Sequence, residues 1–350
     1  MTARPTAIMV ISLAALFFLS APLTAREGTR PPGRNLTDYA NPDGRPPDGL
    51  DDGTDDTPAL RQAVAAGPGV VYVGPGFYRW GEVSIPSGVA VVGAGAATVV
   101  RSSGPKQIFV QKAAHGWAIR DMVLDGEAKG DWKERQDAGQ NGIFTEGCWG
   151  FEIVGVTLRN FSGAGLELTR TNLGAAGWSH GGNLERITAT GNYVGVRFDI
   201  RAEYVNATEL SCFYNVVGVV LHAGNSKITA SNFGANVDGI IIEDKENGSH
   251  GSISNCLVNH NERFALLARN VENGMAISDC CFFYGLLQIE NSVGVNITSG
   301  IIGSSIKTVG VGVNRIAGNY LIPDKWTYAF SPSTIVRDNF TKAGPWAENR

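Results

Sequence analysis

The sequence is poor in charge: Asp, Glu, Lys and Arg make up 18% of its 350 residues, against 43% hydrophobic. Its 29 basic and 33 acidic side chains leave a formal net charge of -4, with no basic run. That excludes an electrostatic nucleic-acid binder, and no nucleic acid is expected as a partner. Cysteine is scarce as well. The five residues Cys148, Cys212, Cys256, Cys280 and Cys281 are odd in number, and their spacing fits neither a disulfide framework nor a Cys-x-x-Cys metal site. No long apolar run follows the first 25 residues, so no membrane span is expected in the remainder. The GAG at 93–95 lacks the helix that a nucleotide fingerprint would open, and it reads as a turn. Glycine is abundant instead, with 45 residues and no collagen period, which points to a turn-rich β chain.

Residues 1–25 read as a signal peptide. Arg4 supplies a positive start, Ile8 to Leu19 is apolar but for Ser12, and small residues end near Thr24 and Ala25. The expectation is an exported protein, secreted or periplasmic, without membrane attachment after cleavage.

From about residue 150 the chain repeats loosely. Each unit has an apolar alternation, a polar turn often containing Asn, then Gly and a second alternation. The second halves read GLELT (165–169), GVRFD (195–199), GVVLH (218–222) and GIIIE (239–243), with GIFTE (142–146) in the same frame. First halves include FEIVGVTL (151–158), SISNCLV (252–258) and MAISDCC (275–281). Such a period signals a solenoid, and period-two alternation makes its units strands. One coil cannot bury its own apolar face, whereas stacked coils share a core and pair their backbones. Cys256 and Cys280 fall at matching places in successive units and read as small core residues. Asn160, Asn192, Asn215, Asn236 and Asn261 fall in turns, where Asn tolerates a left-handed backbone.

The N-terminal part differs. DDTPALRQAVAAG (55–67) carries helix punctuation, with an Asp-Thr-Pro start and a Gly stop, and strands follow at 70–78 and 89–95. A helix there would cap the open edge of the stack. The expected organisation is a signal peptide (1–25), an N-terminal extension (26–54), a parallel β-helix (55–320) and a C-terminal cap or tail (321–350).

DGLDDGTDDTPALRQAV, GPGVVYVGPGFY and VAVVGAGAATVV, taken together, resemble the N-terminal signature of the pectate-lyase-like β-helix superfamily, over residues 36 to 320. The resemblance implies an all-β, right-handed, single-stranded parallel β-helix with an N-terminal capping helix. The superfamily includes polygalacturonase-like hydrolases, polysaccharide lyases, epimerases and phage tailspikes, so the implied partner is a polysaccharide. One fold hosts many chemistries, and the activity has to be argued from a site.

In the repeat frame, the second and fourth residues after each Gly point outward. The fourth positions are Glu146, Thr169, Asp199, His222 and Glu243; the second are Phe144, Glu167, Arg197, Val220 and Ile241. Asp199, His222 and Glu243 should therefore form an outer column, with carboxylates two coils apart about 9–10 Å from each other at the backbone, near the range of inverting glycosidases. A histidine flanked by two carboxylates suits acid–base work or cation binding. The outer face of a β-helix is ordinarily polar, so the column also reads as a solvated surface. Loops follow these strands. TRTNLGAAGWSHGG (169–182) brings Trp178 and His180, the next brings Arg201 and Glu203, and EDKENGSHG (243–251) brings Asp244, Lys245 and His250. One coil earlier, EAKGDWKERQDAG (127–139) brings Asp131 and Trp132. These loops are candidates for the walls of a groove, with Trp132 and Trp178 stacking on sugars.

The family's polygalacturonase motifs carry over only partly. Asn236-Val237-Asp238, Asn261-Glu262 and Ser305-Ile306-Lys307 resemble three of them, making Asp238, Glu262 and Lys307 alternative catalytic candidates. Tyr284-Gly285 stands at the Gly-His-Gly place without its His, and Lys307 lacks the Arg of its motif. The family's lyases use a basic residue, often with Ca²⁺ held by acidic groups. In this chain Arg197 and Lys245, with Asp199, Glu243 and Asp244, match those types, which makes Ca²⁺ a candidate cofactor, though no diagnostic loop is present. Two functions stay open: an enzyme acting on a polysaccharide, uronate-containing or neutral, by elimination or hydrolysis, or a non-catalytic glycan-binding or surface-structural β-helix. Convergence of Asp199, His222 and Glu243 in a cleft favours the first; a flat face favours the second. The sequence leaves the oligomeric state open.

Overall fold

The structure is a computed structural model that describes residues 33–170, 177–246 and 249–346. The leader read at 1–25 lies outside them. The described chain winds as a right-handed parallel β-helix with three sheets. The first sheet runs from Arg34–Asn35 to Thr334–Arg337, the second from Gly76–Trp80 to Phe340–Thr341, and the third from Phe109–Lys112 to Tyr328–Ala329. Each strand pairs in parallel with its counterpart one coil on. Period-two alternation gives every coil its inward residues. Ile153, Leu184, Ala207 and Ile228 stack in the first sheet, Leu158, Ala189, Cys212 and Phe233 in the second, and Leu166, Val196, Val219 and Ile240 in the third. All are buried, and burying each large apolar side chain stabilises by roughly 1.5–3 kcal/mol. All five cysteines are free thiols, and Cys256 and Cys280 are buried one coil apart.

The helix Thr57–Ala65 forms where its punctuation stands, with Pro58 in its first turn. Its Ala59, Leu60, Ala63 and Val64 join the solenoid core. The parallel stack extends beyond 55–320 on both sides. Arg34–Asn35 already pairs with Gly69–Tyr72, and Thr334–Arg337 still pairs with Asn314–Ala317.

The glycines that mark the repeat are required by close approach. A Cβ at Gly195 would come 2.5 Å from the carbonyl oxygen of Gly218, and one at Gly218 would come 2.6 Å from that of Gly239. The turn asparagines act differently from the expectation. Among the five, only Asn160 has a positive φ (57°); in later coils the left-handed residue is the one before, at Gly191, Tyr214, Ala235 and His260. The asparagine that follows turns inward. Asn192, Asn215, Asn236 and Asn261 are buried and stack as a ladder. Asn215 Oδ1 accepts from Asn192 N (2.9 Å) and Nδ2 (3.1 Å), while Asn215 Nδ2 donates to Ala189 O and to the Asn236 side-chain oxygen. An inward amide satisfies backbone groups that the tight turn leaves unpaired, which a hydrophobe cannot do.

Candidate active site

The third sheet carries the outer column in the expected register. Glu146 lies beside Thr169, His222 N donates to Phe198 O in the coil before, and Glu243 lies beside Arg269 in the coil after. The second-position column places Glu167, Arg197, Val220 and Ile241 side by side.

His222 sits between two carboxylates. Its Nδ1 lies 2.7 Å from Asp199 Oδ1, and its Nε2 lies 3.7 Å from Glu243 Oε2. An ionised Asp199 can only accept, so the short contact places a proton on Nδ1; in the neutral ring Nε2 then carries the lone pair. The ring is only 14% exposed. Glu243 is drawn the other way by Arg269 Nη2 at 3.1 Å and by Lys245 Nζ at 3.8 Å. Burial works to raise the Asp199 carboxyl. The hydrogen bond and charge of His222, with Ile200 N–H and Arg197, outweigh it and hold Asp199 below the ordinary aspartate range. Glu167 goes the opposite way. Burial pushes it up, with help from Asp199 and Asp137, beyond what Arg197 and Asn141 pull back. Arg197 bridges Glu167 (3.0 Å) and Asp137 (2.6 Å), and these partners raise its pKa despite burial.

These groups line a cavity of about 290 Å³. Val194, Val217, Val220 and Ile241 make an apolar floor; Arg197, Asp199, His222, Glu243 and Arg269 stand along it, and Asp137 and Tyr193 close a side. Val217 and Val220 point away from the solenoid core and are still only 6% exposed. The segment 127–139 contributes to this cover, since its Asp137 is tied to Arg197. The column thus lies in a cleft. A larger depression of about 670 Å³, with His250, Glu272, Asn273 and Asn296 on its walls, carries one carboxylate and no Lys or Arg among the described residues.

The other candidates fall elsewhere. Glu167 and Lys245 are not among the lining residues but pair with two that are, Arg197 and Glu243. Asp244 follows the strand Asp238–Glu243 and does not line the cavity. Trp178, His180, Arg201 and Glu203 gather at the turn from the third sheet to the first. Arg201 lies 4.7 Å over the Trp178 ring, His180 stacks on Trp149 at 6.5 Å, and Glu203 is 2% exposed and bonded to Arg201 and Asn225. Trp132 packs edge-on against Tyr214 at 6.0 Å, outside the cavity. The polygalacturonase-like trio is dispersed. Asp238 is fully buried on Arg263, Glu262 pairs with Lys133, and Lys307 lies in the column beyond Gln288. Asp238 opens its strand facing the turn and takes a bidentate guanidinium, which spends both its oxygens.

Reading the sequence missed three polar residues of the cleft. Arg269 occupies the fourth place of FALLAR, where Ala265 stands in for the marker glycine. Asp137 belongs to the noted insertion, but its reach to Arg197 spans 60 residues. Tyr193 precedes its repeat frame. For Ca²⁺, the carboxylates are already committed to His222, Arg269, Lys245, Arg197 and Asn141. Among the described residues no group of three His, Cys, Asp or Glu is arranged to hold a metal ion, so the donor set does not fit the ion and no step is routed through one.

No family model matches the chain, and no curated protein matches it in sequence. Solved structures share its fold at low identity. The Azotobacter vinelandii mannuronan C-5 epimerase AlgE4 A-module is 16% identical, with a TM-score of 0.57, over 88% of this chain and 99% of the module. A tailspike protein of E. coli bacteriophage HK620 in complex with a pentasaccharide is 12% identical, with a TM-score of 0.60, over 90% of this chain and 66% of the tailspike. The tailspike gp49 of Acinetobacter baumannii bacteriophage Fri1, a capsular polysaccharide depolymerase, is 15% identical, with a TM-score of 0.55, over 83% of this chain and 57% of its own.

Proposed function

We propose that the chain is an exported carbohydrate-active enzyme that cleaves a uronate-containing polysaccharide by β-elimination in the third-sheet cleft. The observation that carries the reading is His222, fixed through Nδ1 by an ionised Asp199 and presenting Nε2 to a cavity that also holds Arg197 and Arg269. A carboxylate-anchored imidazole can take a proton at the nitrogen that its anchor leaves free. A uronate carboxylate placed against Arg269 acidifies the adjacent C5–H. The proton goes to Nε2, the electron pair forms the C4–C5 double bond as the C4–O bond breaks, and the leaving oxygen is protonated from solvent. Arg269 is suited to this because a guanidinium takes a planar carboxylate in two hydrogen bonds. That the same fold carries an enzyme named for C-5 of mannuronan supports acidic sugars as substrate.

The split between Glu167, raised, and Asp199, lowered, favours a second reading, hydrolysis with Glu167 as acid and Asp199 as base. It is the weaker one, because a Glu167 oxygen is spent on Arg197 and Asn141. The test is mature protein on polygalacturonate, alginate, glycosaminoglycans and neutral glycans, followed for unsaturated product and reducing ends together. Unsaturated product is expected on an acidic polymer. Reducing ends without unsaturation would replace elimination by hydrolysis, and neither signal on any polymer would leave a non-catalytic glycan-binding β-helix.

A further inference from the structure

The outer face of the second sheet and the turn beside it carry a row of rings that the cleft does not use. The left-handed residues of successive coils are Tyr214, Ala235, His260 and Tyr284, with φ of 57°, 52°, 54° and 62°. Their side chains therefore leave the solenoid at equivalent places, and Tyr214 and Tyr284 are 54% and 47% exposed. His260 stacks on Tyr284 at 4.3 Å, Trp326 backs Tyr284 edge-on at 5.7 Å, and Trp132 backs Tyr214 at 6.0 Å. The row breaks at Ala235. Below the break, Gly234 gives way to the Phe213 ring, whose Cε1 would lie 2.9 Å from a Cβ there. What remains is a cavity of about 310 Å³ lined by Phe213, Tyr214, Ala235, His260, Asn232 and Asn259 among others. The side-chain oxygen of Asn259 has no hydrogen-bond partner among the described residues.

We propose that this groove binds a glycan chain, with one sugar ring seated at Ala235 between Tyr214 and His260. Tyr214 and His260 stand two coils apart, about 9–10 Å. Two ring contacts of about 3.5–4 Å each fill that span and leave no room for a second ring. The lining suits the occupant. Aromatic faces meet the C–H face of a sugar, and Asn232 and Asn259 offer amides to its hydroxyls. Among the described residues no Lys, Arg, Asp or Glu lines the cavity, so it recognises the ring and not a uronate carboxylate. The segment 127–139 joins the two sites. Its Trp132 and Lys133 stand at Tyr214 and Glu262 along the groove, while Asp137 walls the cleft through Arg197. A polymer held here would be tethered beside the cleft on the other side of the asparagine ladder.

The test is affinity electrophoresis of the His222→Ala protein through gels containing polygalacturonate, alginate or a neutral β-glucan, with Tyr214→Ala and Ala235→Trp added singly. Tyr214→Ala removes a wall, and Ala235→Trp keeps every wall but fills the gap. At least one polymer is expected to retard the parent, and each substitution should weaken that retardation tenfold or more while circular dichroism stays unchanged. This outcome supports the groove whether or not wild-type protein turns any polymer over. Retardation equal to the parent in both folded variants overturns it, even in an active enzyme. Retardation by no polymer overturns it too, as does a change in sedimentation mass without a change in retardation, which would make the occupant a second copy of the chain.

Discussion

The third and second sheets are built from the same coils, flank the same asparagine ladder and bury the same kind of inner residue, yet their outer faces are unlike. The third presents Asp199, His222, Glu243 and Arg269 above an apolar floor; the second presents Phe213, Tyr214, His260 and Tyr284 between amides. The contrast teaches that in this fold the inward positions and the ladder carry stability, while the outward positions are free to carry chemistry. It also shows that a column alone is not a site. Glu146 and Lys112 share the column with His222, but they form only a 3.1 Å ion pair, with Lys112 largely exposed.

The comparison breaks if outward residues prove to be structural. Asp199→Asn should lower kcat on an acidic polymer by about 10²-fold or more, because the imidazole loses the group that fixes its tautomer, while the melting temperature moves little. A large loss of melting temperature with kcat retained would assign Asp199 to stability. The inward counterpart is Asn215→Ala. It strands Asn192 N and the Ala189 carbonyl in the ladder and should cost roughly 3 kcal/mol, read from urea unfolding. A cost near zero would show that the ladder is not what holds the turns.

These two residues also mark what the sequence made legible. The column was readable because Gly165, Gly195, Gly218 and Gly239 must be glycine for coils to approach, and they set the phase from which Asp199, His222 and Glu243 were counted. Arg269 was hidden because Ala265 fills the glycine place in its coil. The turn asparagines were located, but their role depends on which of two adjacent residues turns left-handed, and local composition does not decide that. Asp137 was beyond reach because its contact with Arg197 is made across coils by an insertion without periodicity. Asp238 and Glu262 looked catalytic by motif, and the paired cations Arg263 and Lys133 carry no local signal.

Arg269→Gln sharpens the charged face further. It should raise KM on an acidic polymer roughly tenfold and lower kcat with it, because the bound carboxylate no longer acidifies the C5–H. A KM unchanged within error would remove Arg269 from substrate binding. The smallest effect is on acid stability. Asp199 and Asp125 are both held below the ordinary aspartate range, the latter against burial by the Glu127 backbone, Asn160 and Arg159. The unfolded chain therefore takes up protons at a higher pH than the folded one. The stability the two residues add is complete above about pH 4 and is lost as pH falls through their depressed folded values. Glu167 has the opposite sign, since its raised folded value withdraws stability as pH rises past about 4.3. Urea midpoints taken between pH 3 and 6 should fall less steeply on the acid side in Asp199→Asn than in wild type; an identical slope would show that Asp199 is not depressed.

The most direct test of the central claim, that His222 in the third-sheet cleft is the base, is the rate of unsaturated-product formation by wild-type and His222→Ala protein on the acidic polymer that wild type cleaves, with matched circular dichroism. His222→Ala should lose about 10²-fold or more in kcat. A folded His222→Ala protein that forms the unsaturated product at the wild-type rate would contradict it and move the chemistry away from this column.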